Sequence, residues 1–234
     1  MTSITIAEGT TSIPKNCFYG CTNLTTVNLP STITKIDANA FAYCSKLDTI
    51  NIPSGQITIK EGAFKSCSSL TSFDLSSIYA VENNVFDGCS NMQFTNTGHV
   101  MSFGRESFRG TSSLTSLEIA AGASIDNDAF QGSGVTSVTF KGDFTAAGWG
   151  ACFEKCNNLT SVTFETQFSY LPFRMFNKCS SLQTIDLSNC LSYRKSNNDS
   201  YYGGHFSQCS SLVTVTLSTH VNLLEEGMFE YSSL

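Results

Sequence analysis

The feature that most constrains this chain is a period. From Phe18 the sequence reads FYGCTNLTTVNLP, and close copies follow: FAYCSKLDTINIP from Phe41, FKSCSSLTSFDL from Phe64, FEKCNNLTSVTF from Phe153, FNKCSSLQTIDL from Phe176 and FSQCSSLVTVTL from Phe206. Weaker copies begin at Phe86, Phe108 and Phe130, and a last one at Phe229. The gaps between these ten phenylalanines are 23, 23, 22, 22, 22, 23, 23, 30 and 23 residues. A fixed period of this length marks a solenoid, in which each repeat buries its apolar face against its neighbours alone. The period predicts one elongated domain over residues 1–234 with no linker.

Within a repeat two spacings meet. Phe and Cys stand three apart, as on one face of a helical turn. The three positions that end just short of the residue before each Phe are rich in Asn, Asp, Glu and Gly, as in Asp37-Ala38-Asn39 and Glu82-Asn83-Asn84. Such residues suit a helix N-cap and first turn. The segment LxxVxL that follows alternates as a short strand, with Val27 and Leu29 inward and Thr26 and Asn28 outward. The expected fold is an α/β solenoid of about ten repeats of 22–23 residues. A parallel sheet lines its concave face, short helical turns or coil lie opposite, and the stack is roughly 45 Å long.

Hydrophobic residues make up 41% of the chain and charged residues 14%, which is too apolar for disorder. No apolar run approaches the roughly 20 residues of a membrane-spanning helix, so no membrane span is expected. The net charge is −6 and the 13 Lys and Arg are dispersed. Nucleic acid is therefore not an expected partner, since its phosphates call for clustered cations. Met1 runs directly into Ile4-Thr5-Ile6, which matches the strand Val27-Asn28-Leu29. This reads as a chain beginning and ending mid-repeat, with two open ends through which copies could associate end to end.

Seven of the ten cysteines (Cys21, Cys44, Cys67, Cys89, Cys156, Cys179, Cys209) share one slot of the repeat. They form a ladder, which is the wrong shape for a tetrahedral metal site. Neighbouring rungs about 5 Å apart could form disulfides. Thr111, Ser133 and Ser232 fill the same slot, which favours compact, buried free thiols. Cys190, beside the longest gap, reads as the exposed thiol. There is no GxSxG, GxxxxGK[ST], HExxH or EF-hand pattern. His99, His205 and His220 are isolated, and the repeat converges no two carboxylates on one point. Neither catalysis nor a cofactor nor a metal is expected.

What the repeat offers is surface. The outward strand positions Ser3, Thr5, Thr26, Asn28, Thr49, Asn51, Ser72, Asp74, Ser116, Glu118, Ser137, Thr139, Ser161, Thr163, Thr184, Asp186, Thr214 and Thr216 form a face of short hydroxyls with scattered amides and acids. Threonine is a good strand residue on any solvated face, yet long sheets are also how solenoids meet partners. Of these, Asn51, Asp74, Glu118 and Asp186 are candidate contacts. The 30-residue gap adds an irregular insertion at about 189–205, with Tyr193, Arg194, Lys195, Tyr201 and Tyr202 as candidate anchors, the residue types that dominate protein contacts. Asn23, Asn158 and Asn198 open glycosylation triplets.

The unit LTTVNLPSTITKIDANAFAYC, Leu24 to Cys44, resembles the BspA-type leucine-rich repeat, and the likeness covers essentially the whole chain. Met92-Gln93-Phe94, Ser133-Gly134-Val135 and Gly148-Trp149-Gly150 depart from it locally. The resemblance implies a leucine-rich-repeat solenoid and a cell-surface protein of mucosal bacteria or parasitic protists. It also implies adhesion to host-cell or extracellular-matrix proteins such as fibronectin. The competing expectation is a passive spacer whose neighbouring domain does the binding.

Overall fold

The computed structural model describes residues 2–95, 97–148, 150–193, 204–221, 224 and 226–234. Its frame is a file of parallel strands at Ser3–Thr5, Thr26–Asn28, Thr49–Asn51, Ser72–Asp74, Gln93–Thr95, Ser116–Ile119, Ser137–Phe140, Ser161–Phe164, Thr184–Asp186 and Thr214–Thr216, hydrogen-bonded in four groups: the first three, the next two, the next three and the last two. Register follows the repeat: Val27 stands between Ile4 and Ile50, and Val138 between Leu117 and Val162. Equivalent residues therefore stack on equivalent residues, apolar inward and polar outward. Even Met92-Gln93-Phe94 keeps this register, with Phe94 opposite Phe73.

A second, two-residue strand completes seven of the windings, from Ser12–Ile13 to Thr145–Ala146. After these, isolated bridges (Phe168 to Cys190, Leu171 to Tyr193) take its place. The expectation of about ten equal repeats is thus too uniform, because the longest gap breaks the match between successive coils.

The core is a file of rings. Phe18, Phe41, Phe64, Phe86, Phe108, Phe130, Phe153, Phe176, Phe206 and Phe229 follow one another at centroid distances of 5.1–5.9 Å. All but the Phe86–Phe108 step, tilted by 35°, lie within 20° of parallel. Phe94 meets Phe108 edge-on at 4.6 Å there, filling the space that a parallel pair would occupy.

The segment carrying each Phe is not helical, which corrects the expectation of helical turns. Among the described residues there is no α-helix, and Thr97–His99 forms a single 3-10 turn. The N–H groups of Ala40, Ala42 and Cys44 donate three residues back, to Asp37, Asn39 and Phe41. Those of Asn39, Phe41 and Tyr43 donate instead to Glu61, Ala63 and Lys65 of the next coil. Alternate amides can face the neighbouring coil because the residues two before and two after Phe41 are left-handed, Asn39 at φ 55° and Tyr43 at φ 63°. Asn, Asp and Gly are abundant here because they tolerate that conformation. They do not cap helices.

The shared cysteine slot has a specific task. Six of its seven thiols donate to a Phe carbonyl of an earlier coil: Cys44 to Phe18, Cys67 to Phe41, Cys89 to Phe64, Cys156 to Phe130, Cys179 to Phe153 and Cys209 to Phe176, at 3.1–3.2 Å. The Phe41 oxygen also takes the N–H of Cys44, so both of its lone pairs are engaged. The thiols are free, and burial raises those of Cys44 to about 11 and of Cys89 to about 12. Two expectations are corrected. Cys190 is buried, held by the bridge to Phe168, and the exposed thiols are Cys17 and Cys21 of the first described coil, where no earlier coil covers them.

Candidate functional site

The strand face has the predicted composition. Every outward position named above is exposed or half-buried, while the inward partners Val27, Phe73, Leu117 and Ile185 are buried. Its candidate contacts stand in one column, at the last outward position of their strands, and do not converge. Three of them are occupied in shaping the surface. The Asn51 amide accepts from the Leu29 N–H at 2.8 Å and donates to the Leu29 carbonyl at 3.1 Å, clamping the neighbouring coil. Asp74 accepts from the N–H and hydroxyl of Ser76, and Asp186 from the N–H of Ser188, which turns the chain away at the strand end. Glu118 pairs with Lys141 at 3.2 Å, and Lys141 reaches Glu165 at 2.8 Å. Exposed pairs of this kind add little stability, but they give the face a row of fixed charge.

Of the insertion anchors, Arg194, Lys195, Tyr201 and Tyr202 lie outside the described residues. Tyr193 is not an exposed anchor. It bridges Leu171 and packs half-buried on the core, in the column that Ile13, Ile36 and Ile59 occupy in earlier coils. Its hydroxyl is enclosed without a hydrogen-bond partner, and burial raises it to about 12. The bridges to Phe168 and Leu171 therefore tie the chain to the preceding coil as far as Tyr193.

The most enclosed polar site lies on the other side of the coil, along the phenylalanine-bearing turns. The residue after each Phe forms a column whose side chains alternate in character: Lys65, Asp87, Arg109, Gln131, Glu154. Asp87, only 6% exposed, takes Lys65 at 3.0 Å and a two-pronged contact from Arg109 at 2.9 and 2.8 Å. Arg109 also meets Glu106 at 2.8 Å, and Glu154, 5% exposed, meets Arg174 at 3.0 Å. Buried carboxylates require such partners.

From the fifth to the eighth coil, counted by their phenylalanines, this row opens into a cleft of about 390 Å³. Gly150 lies at its floor, where an added Cβ would stand 2.1 Å from the Phe173 carbonyl oxygen, and its N–H donates to Asn127. Asp128 faces the cleft. Burial raises its carboxyl, Glu154 and Glu106 raise it further, and Arg105 and Arg174 oppose them. Carboxylates therefore do approach one another, contrary to the sequence reading. The signal was available by aligning the repeats on Phe and reading the columns one after and two before it. Among the described residues no three His, Cys, Asp or Glu are grouped to hold a metal, and no helix is long and apolar enough to cross a membrane.

The fold, rather than the cleft, is what the chain shares with solved structures. A leucine-rich repeat protein of T. pallidum superposes with a TM-score of 0.52 at 24% identity, over 72% of this chain and 73% of that one. A leucine-rich cell surface protein of Faecalibacterium prausnitzii gives 0.44 at 19% identity, over 93% and 79%. No curated protein matches the chain. The profile of the BspA type leucine-rich repeat region, in six copies, matches residues 1–115 and 101–234, so the chain belongs to the BspA-type leucine-rich repeat family.

Proposed function

We propose that this chain is a non-catalytic recognition and adhesion scaffold of the cell surface, meeting a host-cell or extracellular-matrix protein through its long-strand face. The observation that carries this reading is the two outward columns of short polar side chains, none of them buried, running from Ser3 and Thr5 to Thr214 and Thr216. Such a face presents many hydrogen-bonding groups on a rigid frame, which lowers the ordering cost of binding. Family membership supports the same reading, because leucine-rich repeat proteins commonly bind proteins.

The test is binding of the purified chain to immobilised fibronectin and to epithelial cells. Saturable binding, weakened about tenfold by combined Asp74→Ala, Glu118→Ala and Asp186→Ala, is the expected result. A separate Tyr201→Ala, Tyr202→Ala variant reports on the insertion. If this chain fails to bind while a longer protein containing it does, the repeats are a spacer and the proposal fails.

A further inference from the structure

The turn-side cleft is unrelated to the strand face and is built for a different kind of ligand. Its charges balance: Arg105 and Arg174 stand against Asp128 and Glu154. An ion of either sign would meet a like charge as well as an opposite one, so the cleft selects for no net charge. Its side chains are also partly spent. Glu154, with its side chain 7% exposed, is committed to Arg174 through one terminal nitrogen. That contact leaves the Arg174 Nε–H buried and without an acceptor among the described residues. Asp128 accepts from the Gln131 amide at 2.9 Å and makes no ion pair among the described residues. The Arg105 side chain is 61% exposed and, among the described residues, pairs with Glu106 alone, at 3.3 Å.

What the cleft offers is thus an acceptor on Asp128 beside donors on Arg174, its side chain 22% exposed, and Arg105, all on flat, two-pronged groups, with Phe173 also in the lining. Adjacent hydroxyls on a ring complement that set, since one donates to the carboxylate while its neighbour accepts from a guanidinium. The volume lies at the low end of small-molecule sites, roughly 300–1,000 Å³, enough for one or two sugar rings. We propose that this cleft binds an uncharged saccharide unit, with Asp128 as acceptor and Arg174 and Arg105 as donors.

The test is titration of the chain with the methyl glycosides of glucose, galactose, mannose and N-acetylglucosamine. It is followed by calorimetry and by the fluorescence of Trp149, the chain's one tryptophan and the neighbour of Gly150 in sequence. Saturable binding of at least one glycoside is expected. Arg174→Lys keeps the charge beside Glu154 but removes the Nε–H, and Asp128→Asn keeps the Gln131 contact but removes the charged acceptor. Each should weaken binding about tenfold, while Glu118→Ala on the strand face leaves it unchanged. The proposal is overturned if no glycoside saturates, or if both cleft variants bind like the parent. It is equally overturned if ethylamine or acetate binds with the same sensitivity to these variants, which would mark the cleft as an ion site.

Discussion

Asp128 shows how a single residue reports on the purpose of its surroundings. Its carboxyl is raised above the ordinary 3.8, first by burial and then by the nearby charges of Glu154 and Glu106, with Arg105 and Arg174 acting in the opposite sense. A group whose folded value exceeds its unfolded one contributes stability that is present below the unfolded value and lost as pH rises through the folded value. At neutral pH the ionised Asp128 therefore works against the fold. Asp128→Asn cannot ionise and keeps an oxygen for the Gln131 amide, so it should raise the urea midpoint at pH 7. The gain should shrink as pH falls below about 4, where the native carboxyl is protonated in both states. Urea titrations at pH 7 and pH 3 check this, and a variant less stable than the parent at pH 7 would refute it. A residue that costs stability yet faces a cleft fits a binding role, because sites for ligands are where such costs persist.

At the scale of one coil, the strand half was legible in the sequence and the turn half was not. Alternation around Val27 and Leu29 has one structural meaning, so the strand, its inward and outward sides and its register all followed from it. The i, i+3 pairing of Phe and Cys had two meanings. A helical turn and a chain of left-handed turns both bury the pair, and Asn, Asp and Gly favour helix caps and left-handed positions alike. The distinction lay in a column the period alone does not display. Two residues after Phe, four coils carry Gly20, Gly88, Gly110 and Gly132, all at positive φ. The charged column beside the cleft was harder to read for a related reason, since Lys65, Asp87, Arg109, Gln131 and Glu154 share no residue type and gain meaning only when the repeats are aligned on Phe. The glycine column yields a prediction. Gln208 holds that position at φ 60° and is exposed. A left-handed non-glycine residue costs about 1–2 kcal/mol, partly offset by the greater freedom of glycine in the unfolded chain. Gln208→Gly should therefore stabilise by about 0.5–1 kcal/mol. Gly88→Ala should destabilise by a similar amount, and chemical denaturation of the two variants decides the matter.

Across the whole molecule, cooperativity has to pass from coil to coil, because each coil touches only its neighbours, and the file of rings is one of the contacts that can carry it. Phe130 sits mid-file, 5.2 Å from Phe108 and 5.1 Å from Phe153, and is fully buried. Phe18 stands at one end, half-buried, with Phe41 at 5.1 Å as its ring neighbour in the file. Both substitutions by alanine remove the same atoms, but their consequences differ in kind. Phe130→Ala should cost about 3–5 kcal/mol and weaken the ring contact between the coils before it and those after it. Trp149 lies on the later side, so its fluorescence reads that half, whereas circular dichroism reads the whole chain. In the parent the two urea transitions should coincide, and in Phe130→Ala they should separate, as expected when a nearest-neighbour interface falls below the stability of the units it joins. Phe18→Ala, at the end of the file, should cost less than about 2 kcal/mol and leave the transitions together. Coincident transitions in Phe130→Ala with a loss below about 1 kcal/mol would mean that the strand ladder, rather than the stacked rings, carries the coupling from one end of the solenoid to the other.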